Sequence, residues 1–348
     1  MKGTPVSAPG PWLDKRRVRR AFEAAADGYD RAAALQREVG ERLLERLDWI
    51  RIRPRRVLDL GCGTGQTAAA LARRYPRAQV LALDLAEAMV RRSLARLGRW
   101  ARWRGRAVGL CADMEALPLA AGSVDLVVSN LALQWCPDLP RALGEMRRVL
   151  APGGAVLLST FGAGTLEELR AAWEEADRGA HPGSDPPGKG PPGTDPSSTG
   201  DPLRHVHAFP DLHAVGDLLL GLGFRDPVTD VDRLVRRYRE PGELVRDLKA
   251  LGATNASRSR PRGLTGKGRW RRFLEAYEAL RDPEGCIPAT YEVVYGHAWG
   301  HAWGHAWGPA RGNAGAPTGG GRGPAAPPGE ARVPARTLSE ALRRRRNR

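Results

Sequence analysis

The sequence predicts an α/β fold: a mostly parallel, Rossmann-like sheet with one antiparallel edge strand, helices on both faces and a helical cap. Two observations predict it. Strand-like and helical segments alternate from Val57 to Gly162, which is typical of βαβ units and a parallel sheet. The strand-like run VLDL is followed at once by the turn GCGTG and a helical segment. Glycines in such a turn let the chain bend sharply and let a ligand lie against the backbone.

The individual elements follow from the spacing of apolar residues. Residues 14–50 have a helical pattern, with Val18 and Phe22 on one face and Val39 and Leu43 on another. The predicted strands that follow are VLDL, QVLALDLA, AVGLCAD, VDLVVSNLAL and GAVLLSTFG, separated by the helices QTAAALARRY, EAMVRRSLARL and LPRALGEMRRVL. Helices TLEELRAAWEEAD and HAVGDLLLGLGF, the strand VTDVDRLVRRY, helical segments at both ends of 241–282 and a last strand TYEVVYGHAW complete the pattern.

Composition divides the chain into one domain and three segments without a core. Residues 1–13 form a predicted leader, and residues 14–300 form the domain, with its cap from 14–50 and about 240–285. Pro, Gly, Ser and Asp dominate residues 178–203, so that segment is predicted to be a disordered loop. Residues 301–348 form a predicted disordered basic tail, whose deletion is expected to leave activity intact.

A repeated tetrad, His-Ala-Trp-Gly, marks the end of the predicted domain. Its histidines are His297, His301 and His305, and a glycine precedes each one, which disfavours a helix. No carboxylate or cysteine accompanies them, so a metal site is not expected. The first copy is predicted to close the last strand, and the others to begin the tail. In that strand Tyr291, Val293, Tyr295 and His297 alternate with Glu292, Val294 and Gly296, which is typical of an edge strand.

Charge and cysteines limit the partners and the compartment. The 348 residues carry a net charge of +16, which favours an acidic partner such as nucleic acid, an anionic membrane or an acidic protein. No nucleic-acid motif accompanies the charge, and no apolar leader or run of about 18 apolar residues indicates a membrane. The four cysteines form no CxxC pair, which suits a reducing compartment and predicts a cytoplasmic protein.

The glycine-rich turn predicts the cofactor. Its glycines are Gly61, Gly63 and Gly65, whereas a dinucleotide fingerprint places the third glycine one residue later. This shorter form, preceded by Asp59, resembles the S-adenosylmethionine loop of class I methyltransferases. Asp84 closes the next strand, where a carboxylate can accept hydrogen bonds from ribose hydroxyls.

The resemblance implies further cofactor contacts. Asp113, after the third strand, is expected to meet the adenine amino group, and Met114 to pack against the ring. Tyr29 lies in the segment AADGYD, which in the family folds over the cofactor, and Gln36 is expected at its polar end. Each of these could instead be structural: a strand terminus, a core aromatic or an exposed amide. The complete predicted cofactor site is Tyr29, Gln36, Asp59, Gly61, Cys62, Gly63, Gly65, Asp84, Leu85, Met89, Asp113, Met114, Glu115 and Asn130.

The fourth strand constrains the methyl acceptor. Enzymes that methylate adenine or glutamine amino groups resemble one another in an Asn/Asp-Pro-Pro-Tyr/Phe tetrad. This chain has Ser129-Asn130-Leu131-Ala132 there instead. The difference counts against base or amide N-methylation and fits O- or C-methylation.

Four segments carry a closer resemblance. KRRVRRAFEAAADGYDRAAALQREVGERLLERL, SNLALQWCPDLPRAL, DLKALGATNASRSRPRGLTG and PATYEVVYGHAW are similar to the malonyl-acyl-carrier-protein O-methyltransferases of biotin synthesis, over about residues 14–300. The resemblance implies methylation of the free carboxylate of a malonyl thioester on acyl carrier protein. A carboxylate is already an anion near neutral pH, so no general base is expected.

The resemblance also gives candidate substrate residues. Tyr29 is expected to close the site near the methyl group, and Gln134 and Trp135 to meet the substrate just past the fourth strand. The malonyl carboxylate should require a cation or fixed donors. Candidates are Arg258, Arg260 and Arg262. These arginines, with Lys15, Arg16, Arg17, Arg19 and Arg20, could also meet acidic acyl carrier protein, although a charge run is usually a solvated face.

Two other functions share the same cofactor site. One is methylation of another small carboxylic acid or a quinone-like compound. The other is a non-catalytic assembly factor of the same fold. The cap is the part of the sequence that would distinguish among them, and no metal is expected in any case.

Overall fold

The computed structural model describes residues 12–178, 205–258, 260 and 265–300. Most of the predicted leader, most of the predicted loop, the tail and Arg262 lie outside these residues. In the described part of the chain, the helices are α1 (Lys15–Ala25), α2 (Tyr29–Ala32), α3 (Ala34–Glu45), α4 (Gln66–Arg74), α5 (Glu87–Leu97), α6 (Arg99–Trp103), α7 (Leu139–Val149), α8 (Glu167–Arg178), α9 (Leu212–Gly221), α10 (Pro241–Ala250) and α11 (Lys267–Glu278).

Seven strands form one sheet. They are β1 (Arg56–Leu60), β2 (Gln79–Asp84), β3 (Ala107–Cys111), β4 (Val124–Asn130), β5 (Leu150–Phe161), β6 (Arg225–Tyr238) and β7 (Ile287–Trp299), in the spatial order β3-β2-β1-β4-β5-β7-β6. The strands β1 to β5 pair in parallel, and β7 pairs antiparallel with both β5 and β6. The predicted fold class is confirmed, with the antiparallel strand β7 next to the outermost strand.

Both faces of the sheet are buried. In β4, Leu126 and Val128 belong to one apolar core, whereas Val127 belongs to the other. This double burial explains why the central strands are nearly continuous apolar runs rather than alternating ones. β7 is buried on both faces in the same way, because it lies inside the sheet and not at the margin that its alternating pattern suggested.

The cap differs from the prediction in two details. The helical region 14–50 is interrupted, because α1 ends before Gly28 and α2 is a single turn that begins at Tyr29. The leader predicted over residues 1–13 ends too late, because Leu13 is already part of the domain. Leu13 is 1% exposed, packs with Val18 and Ala256, and forms a β-bridge with Ser257. The second part of the cap contains α10 and α11, as predicted.

Aromatic and ionic contacts join the cap to the sheet. Trp173 of α8 stacks on Phe273 of α11 with the ring centroids 4.2 Å apart. Arg46, after α3, donates to Asp230 of β6 at 2.6 Å and lies 3.7 Å from the ring centroid of Tyr295. None of the described helices is both long and apolar enough to cross a membrane.

Candidate active site

The glycine-rich turn connects β1 to α4 at the carboxyl edge of the sheet. The N–H groups of Gly61 and Cys62 donate to Leu83 O of β2 at 2.8 and 2.9 Å. Gly65 has a φ of +84°, and a Cβ built there would lie 2.5 Å from Ser93 Oγ. A glycine is therefore required for α5 to pack against the turn. Gly63 has a φ of +49° and faces Tyr29, whose Cε1 lies 3.9 Å from a Cβ built on it.

Asp84 links this turn to the end of β2. Its Oδ2 accepts from Gly63 N and its Oδ1 from Ala86 N, both at 2.9 Å. Burial raises the pKa of the Asp84 carboxyl to about 6, although the two backbone donors lower it. A carboxylate has about four lone-pair sites, so both oxygens can still accept ribose hydroxyls.

Asp59 is the most deeply buried acid of the site. It is 1% exposed, and neither carboxylate oxygen has a hydrogen-bond partner among the described residues. Burial raises its pKa to about 7; the nearby backbone N–H of Ala68, which does not reach hydrogen-bonding geometry, lowers the pKa, and the charge of Asp84 raises it further. A buried acid without a partner is costly unless a ligand group compensates it. The site therefore fits a ligand that brings donors or positive charge to the glycine-rich turn, as S-adenosylmethionine does.

Lys15 forms salt bridges with the two acids that follow β3. Its Nζ lies 2.6 Å from Asp113 Oδ2 and 2.6 Å from Glu115 Oε2. Burial lowers the pKa of Lys15, but the hydrogen bonds to these two carboxylates outweigh that effect and raise it. Lys15 therefore fixes α1 to the expected adenine end of the site. The sequence had suggested that Lys15 could meet an acidic partner, but its ammonium group is already paired with these two carboxylates.

The single turn α2 is held against the glycine-rich turn by the contacts of Asp30. Asp30 Oδ1 accepts from Thr64 Oγ1 at 2.5 Å and from Gln66 Nε2 at 3.0 Å, and its other oxygen pairs with Arg96. These contacts hold the neighbouring Tyr29 over the turn. Burial raises the pKa of the Tyr29 phenol, and the charge of Asp84 raises it further, so this side chain stays protonated at neutral pH.

The other predicted cofactor residues lie around this centre in different roles. Met89 is fully buried with Ala26 and Ala86, so its side chain belongs to the packing between α1 and α5. Asn130 Nδ2 donates to Gln36 O at 2.9 Å, and its Oδ1 accepts from Ser159 Oγ at 2.9 Å, so Asn130 ties α3 to the sheet. Leu85 packs at the rim of the Leu13 cluster, and Met114 lies near Gly61.

A cavity of about 330 Å³ lies next to Ala32 of α2 and Trp135. Three rings connect the cavity with the glycine-rich turn: Tyr29 and Phe22 have centroids 6.4 Å apart, and Phe22 and Trp135 are 5.3 Å apart. The cavity is lined by residues of α3, β6, α8, α10 and β7, by Gln134 and Trp135, and by the segment His205–Phe209. Aromatic side chains thus lie between the glycine-rich turn and the cavity.

The predicted substrate residues divide into two groups. Gln134 and Trp135 line the cavity, and Gln134 Nε2 donates to Leu131 O at 2.7 Å. Arg258 and Arg260 do not line it; Arg258 N donates to Trp12 O, and Arg260 Nη1 donates to Ser257 O, each at 2.9 Å.

Polar residues that the sequence did not single out complete the cavity. Arg236 lies 2.6 Å from Glu38 Oε2, and Arg237 lies 2.6 Å from Glu284 Oε2, so both guanidinium groups already face carboxylates. His207 is 8% exposed, and its Nε2 has no hydrogen-bond partner among the described residues. The only sequence signal for His207 is its place just after the Pro/Gly segment, where polar residues of loops often carry function.

The chain's similarity to known proteins agrees with this geometry. A family model described as a methyltransferase domain matches residues 58–158. A malonyl-acyl-carrier-protein O-methyltransferase from Halorhodospira halophila is 52% identical over 82% of this chain and 88% of its own. Proteins of the same name from Gallionella capsiferriformans and a Methylovorus species are 45% and 46% identical, over 82% and 84% of this chain and 91% of each relative.

Proposed function

Because this chain belongs to the malonyl-acyl-carrier-protein O-methyltransferases, we infer that it methylates the free carboxylate of a malonyl group carried on acyl carrier protein. S-adenosylmethionine is the methyl donor, and the product is the malonyl methyl ester that primes synthesis of the biotin precursor. The observation that carries the proposal is the connection between two sites. Tyr29, Phe22 and Trp135 link the glycine-rich turn, with Asp59 and Asp84, to a cavity of about 330 Å³ that could admit an acyl group.

Asp84, Asp59 and the glycine-rich turn would hold the cofactor. Asp84 would accept the ribose hydroxyls, while the turn allows close approach of the backbone at Gly63. Asp113 and Glu115 lie at the expected adenine end, where both carboxylates form salt bridges with Lys15. When bound, S-adenosylmethionine supplies an electrophilic methyl group on a positively charged sulfur.

The chain's own residues need not remove a proton. The acceptor carboxylate is ionised at neutral pH, with a reference pKa near 4. Tyr29 is poorly suited to act as a base, because burial and the Asp84 charge raise its pKa. We therefore assign the residues around the cavity to orientation and to exclusion of water, which can account for a large part of a transfer barrier when two reactants are aligned.

A direct assay tests this function. Purified protein is incubated with S-adenosylmethionine carrying an isotopically labelled methyl group and with malonyl-acyl carrier protein. We expect a labelled methyl ester by mass spectrometry. Acetyl-acyl carrier protein is the matched control, since it lacks the free carboxylate and should stay unlabelled. No ester on the malonyl substrate would refute the proposal, and a methylated small acid or quinone would redirect it.

We propose that exposed arginines of α1 meet acyl carrier protein. Arg16, Arg17 and Arg20 are exposed, and Arg17 Nε donates to Asn255 O at 3.1 Å, beside the exposed Arg258. Asn255 also lines the cavity, so these cations lie near the place where the acyl group would enter. Opposite charges at that place would speed encounter with an acidic carrier. The four free cysteines support a reducing, cytoplasmic compartment.

A further inference from the structure

The cavity presents an unusual set of polar atoms for a site that would receive an anion. Among the described residues that line it, the guanidinium groups Arg236 and Arg237 each lie against a carboxylate. His205 is also engaged: its Nε2 lies 2.9 Å from Arg269 Nη2, and its ring stacks on Trp173 at 4.0 Å. The remaining histidine of the cavity wall, His207, has a different environment.

His207 is fixed in place and has one ring nitrogen to spare. Its ring makes edge contacts with Trp12 at 5.2 Å and with Trp135 at 5.6 Å between centroids. The Asn255 side chain hydrogen-bonds to the ring. The residue is only 8% exposed, and Nε2 is buried without a hydrogen-bond partner among the described residues. His207 lines the cavity, and a ligand contact at this wall would account for a buried polar atom that has no partner.

We propose that His207 Nε2 donates a hydrogen bond to the malonyl carboxylate and thereby positions it for methylation. This inference rests on the proposed function and adds a residue to it. Trp135 contacts His207 on one side and Phe22 on the other, and Phe22 leads to Tyr29 over the glycine-rich turn. His207 is therefore at the end of the cavity that is nearest to the cofactor site, where the carboxylate must lie.

A neutral donor suits this reaction better than a fixed cation. Burial lowers the pKa of His207 to about 4, so the ring is neutral at pH 7. Methyl transfer removes the charge of the carboxylate and the charge of the methyl donor together. A buried arginine would be left without a counter-charge after the reaction, which is costly, whereas a neutral imidazole keeps its full hydrogen-bonding capacity for the ester.

The tautomer follows from the same contacts. A donor at Nε2 requires that Nδ1 accept a hydrogen bond. Asn255 Oδ1 accepts from Ser257 N at 3.0 Å, which orients the amide and leaves its NH₂ group for the ring. The nitrogen-15 chemical shifts of His207 should accordingly identify a neutral ring protonated at Nε2.

Equilibrium binding to malonyl-acyl carrier protein, measured without cofactor, tests the proposal. His207→Phe keeps an aromatic ring against Trp12 and Trp135 but removes the donor, and we expect Kd to rise about tenfold to hundredfold, as for a lost hydrogen bond to a charged group. His207→Gln, which carries an amide donor, should recover most of the affinity. His213→Phe, at an exposed histidine of α9, is the matched control and should change nothing.

A second ligand identifies the group that His207 contacts. The methyl ester product, on the same carrier, has the thioester carbonyl but lacks the anion. We expect His207→Phe to weaken binding of malonyl-acyl carrier protein much more than binding of the ester. Equal weakening of both ligands, or no weakening in a folded variant, would overturn the proposal. If the wild type makes no ester at all, the proposed function fails instead, and the assay on wild-type protein separates the two failures.

Discussion

Asp84 holds two backbone N–H groups and has a pKa raised to about 6 by burial. The unfolded chain releases the same proton near pH 4. Between these values the folded protein binds the extra proton, so the apo protein's free energy of unfolding falls as pH rises. Ligand binding should depend on pH in the opposite sense, because only the ionised carboxylate accepts both ribose hydroxyls without donating a proton.

We therefore predict that affinity for S-adenosylhomocysteine rises as pH increases through about 6, the value to which burial raises the Asp84 pKa. Calorimetric titrations at a series of pH values measure it. Asp84→Asn keeps the shape but cannot ionise, so it should bind at least about tenfold more weakly at neutral pH, given the usual contribution of a charged hydrogen bond. Its affinity should also be flat across this range. A pH dependence that survives in Asp84→Asn would assign the titration to Asp59, whose pKa is about 7.

Tyr29 gives a second prediction for a single side chain. Its ring lies between the glycine-rich turn and Phe22, and its phenol stays protonated. Tyr29→Phe preserves the ring packing, so the affinity for S-adenosylhomocysteine should change by less than about threefold. Loss of the hydroxyl group should lower kcat by roughly tenfold, the usual value of one neutral hydrogen bond. Single-turnover kinetics would measure this, and an unchanged rate would exclude the phenol from positioning.

Individual side chains show where sequence reasoning reaches its limit. The positions of Asp84 and Asp113 at one edge of the sheet could be predicted, because strands of a parallel sheet end at one edge and their following residues meet there. The positions of Asp30 at the glycine-rich turn and of His207 in the cavity wall could not. The partners of Asp30 are Thr64 and Gln66, more than thirty residues away, and no local pattern encodes that pairing. Arginine at 258 or 260 was a reasonable expectation for an anion, yet neither lines the cavity.

At the level of elements, two of the three glycines in the turn between β1 and α4, Gly63 and Gly65, have different constraints. Both have positive φ, which costs a residue with a Cβ about 1–2 kcal/mol. Gly65 faces the backbone of α5, with Ser93 Cα only 2.6 Å from a built Cβ, whereas Gly63 faces Tyr29 and the ligand side. We therefore propose that Gly65 is required for folding and Gly63 for ligand binding.

Matched alanine substitutions should separate these roles. Gly65→Ala is expected to lower the free energy of unfolding by roughly 2–5 kcal/mol, from backbone strain and overpacking together. Gly63→Ala should lower it by only about 1–2 kcal/mol, while weakening S-adenosylhomocysteine binding. Urea denaturation and calorimetry measure the two effects. Similar losses of stability in both variants would contradict this assignment.

The elements also explain which parts of the fold could be predicted. The strands β1 to β5 contain the apolar runs that the sequence shows, and all were located from sequence. The break between α1 and α2 was missed, because apolar periodicity continues across it while Asp30 draws the chain onto the glycine-rich turn. The position of β7 inside the sheet was also missed, since alternation describes one strand and not its neighbours.

On the scale of the whole molecule, the net charge of +16 favours an acidic carrier over a small neutral substrate. We predict that KM for malonyl-acyl carrier protein rises several-fold with added salt, because the Debye length falls from about 10 Å at 0.1 M to about 3 Å at 1 M. KM for S-adenosylmethionine should change much less, since a small ligand meets far fewer surface charges than a carrier protein does. Steady-state kinetics at several salt concentrations would measure both.

Charge reversal locates the effect on the surface. Arg16→Glu with Arg20→Glu on α1 should raise KM for the carrier substrate and flatten its salt dependence. Arg99→Glu with Arg102→Glu on α6, which are also exposed, form the matched control with the same change in net charge. If both pairs raise KM equally, the carrier senses overall charge and not the surface of α1.

The position of β7 has a consequence for how the protein is made. β6 is synthesised before β7, yet it contacts the sheet through β7, which alone pairs with β5 on that side. On the ribosome, β5 therefore keeps an open edge and β6 has no partner until residues 287–299 have emerged. A nascent chain stalled before that point would present an unpaired β6 and an open sheet edge at β5, which favours association between chains. Chaperone protection during translation should matter most in that interval.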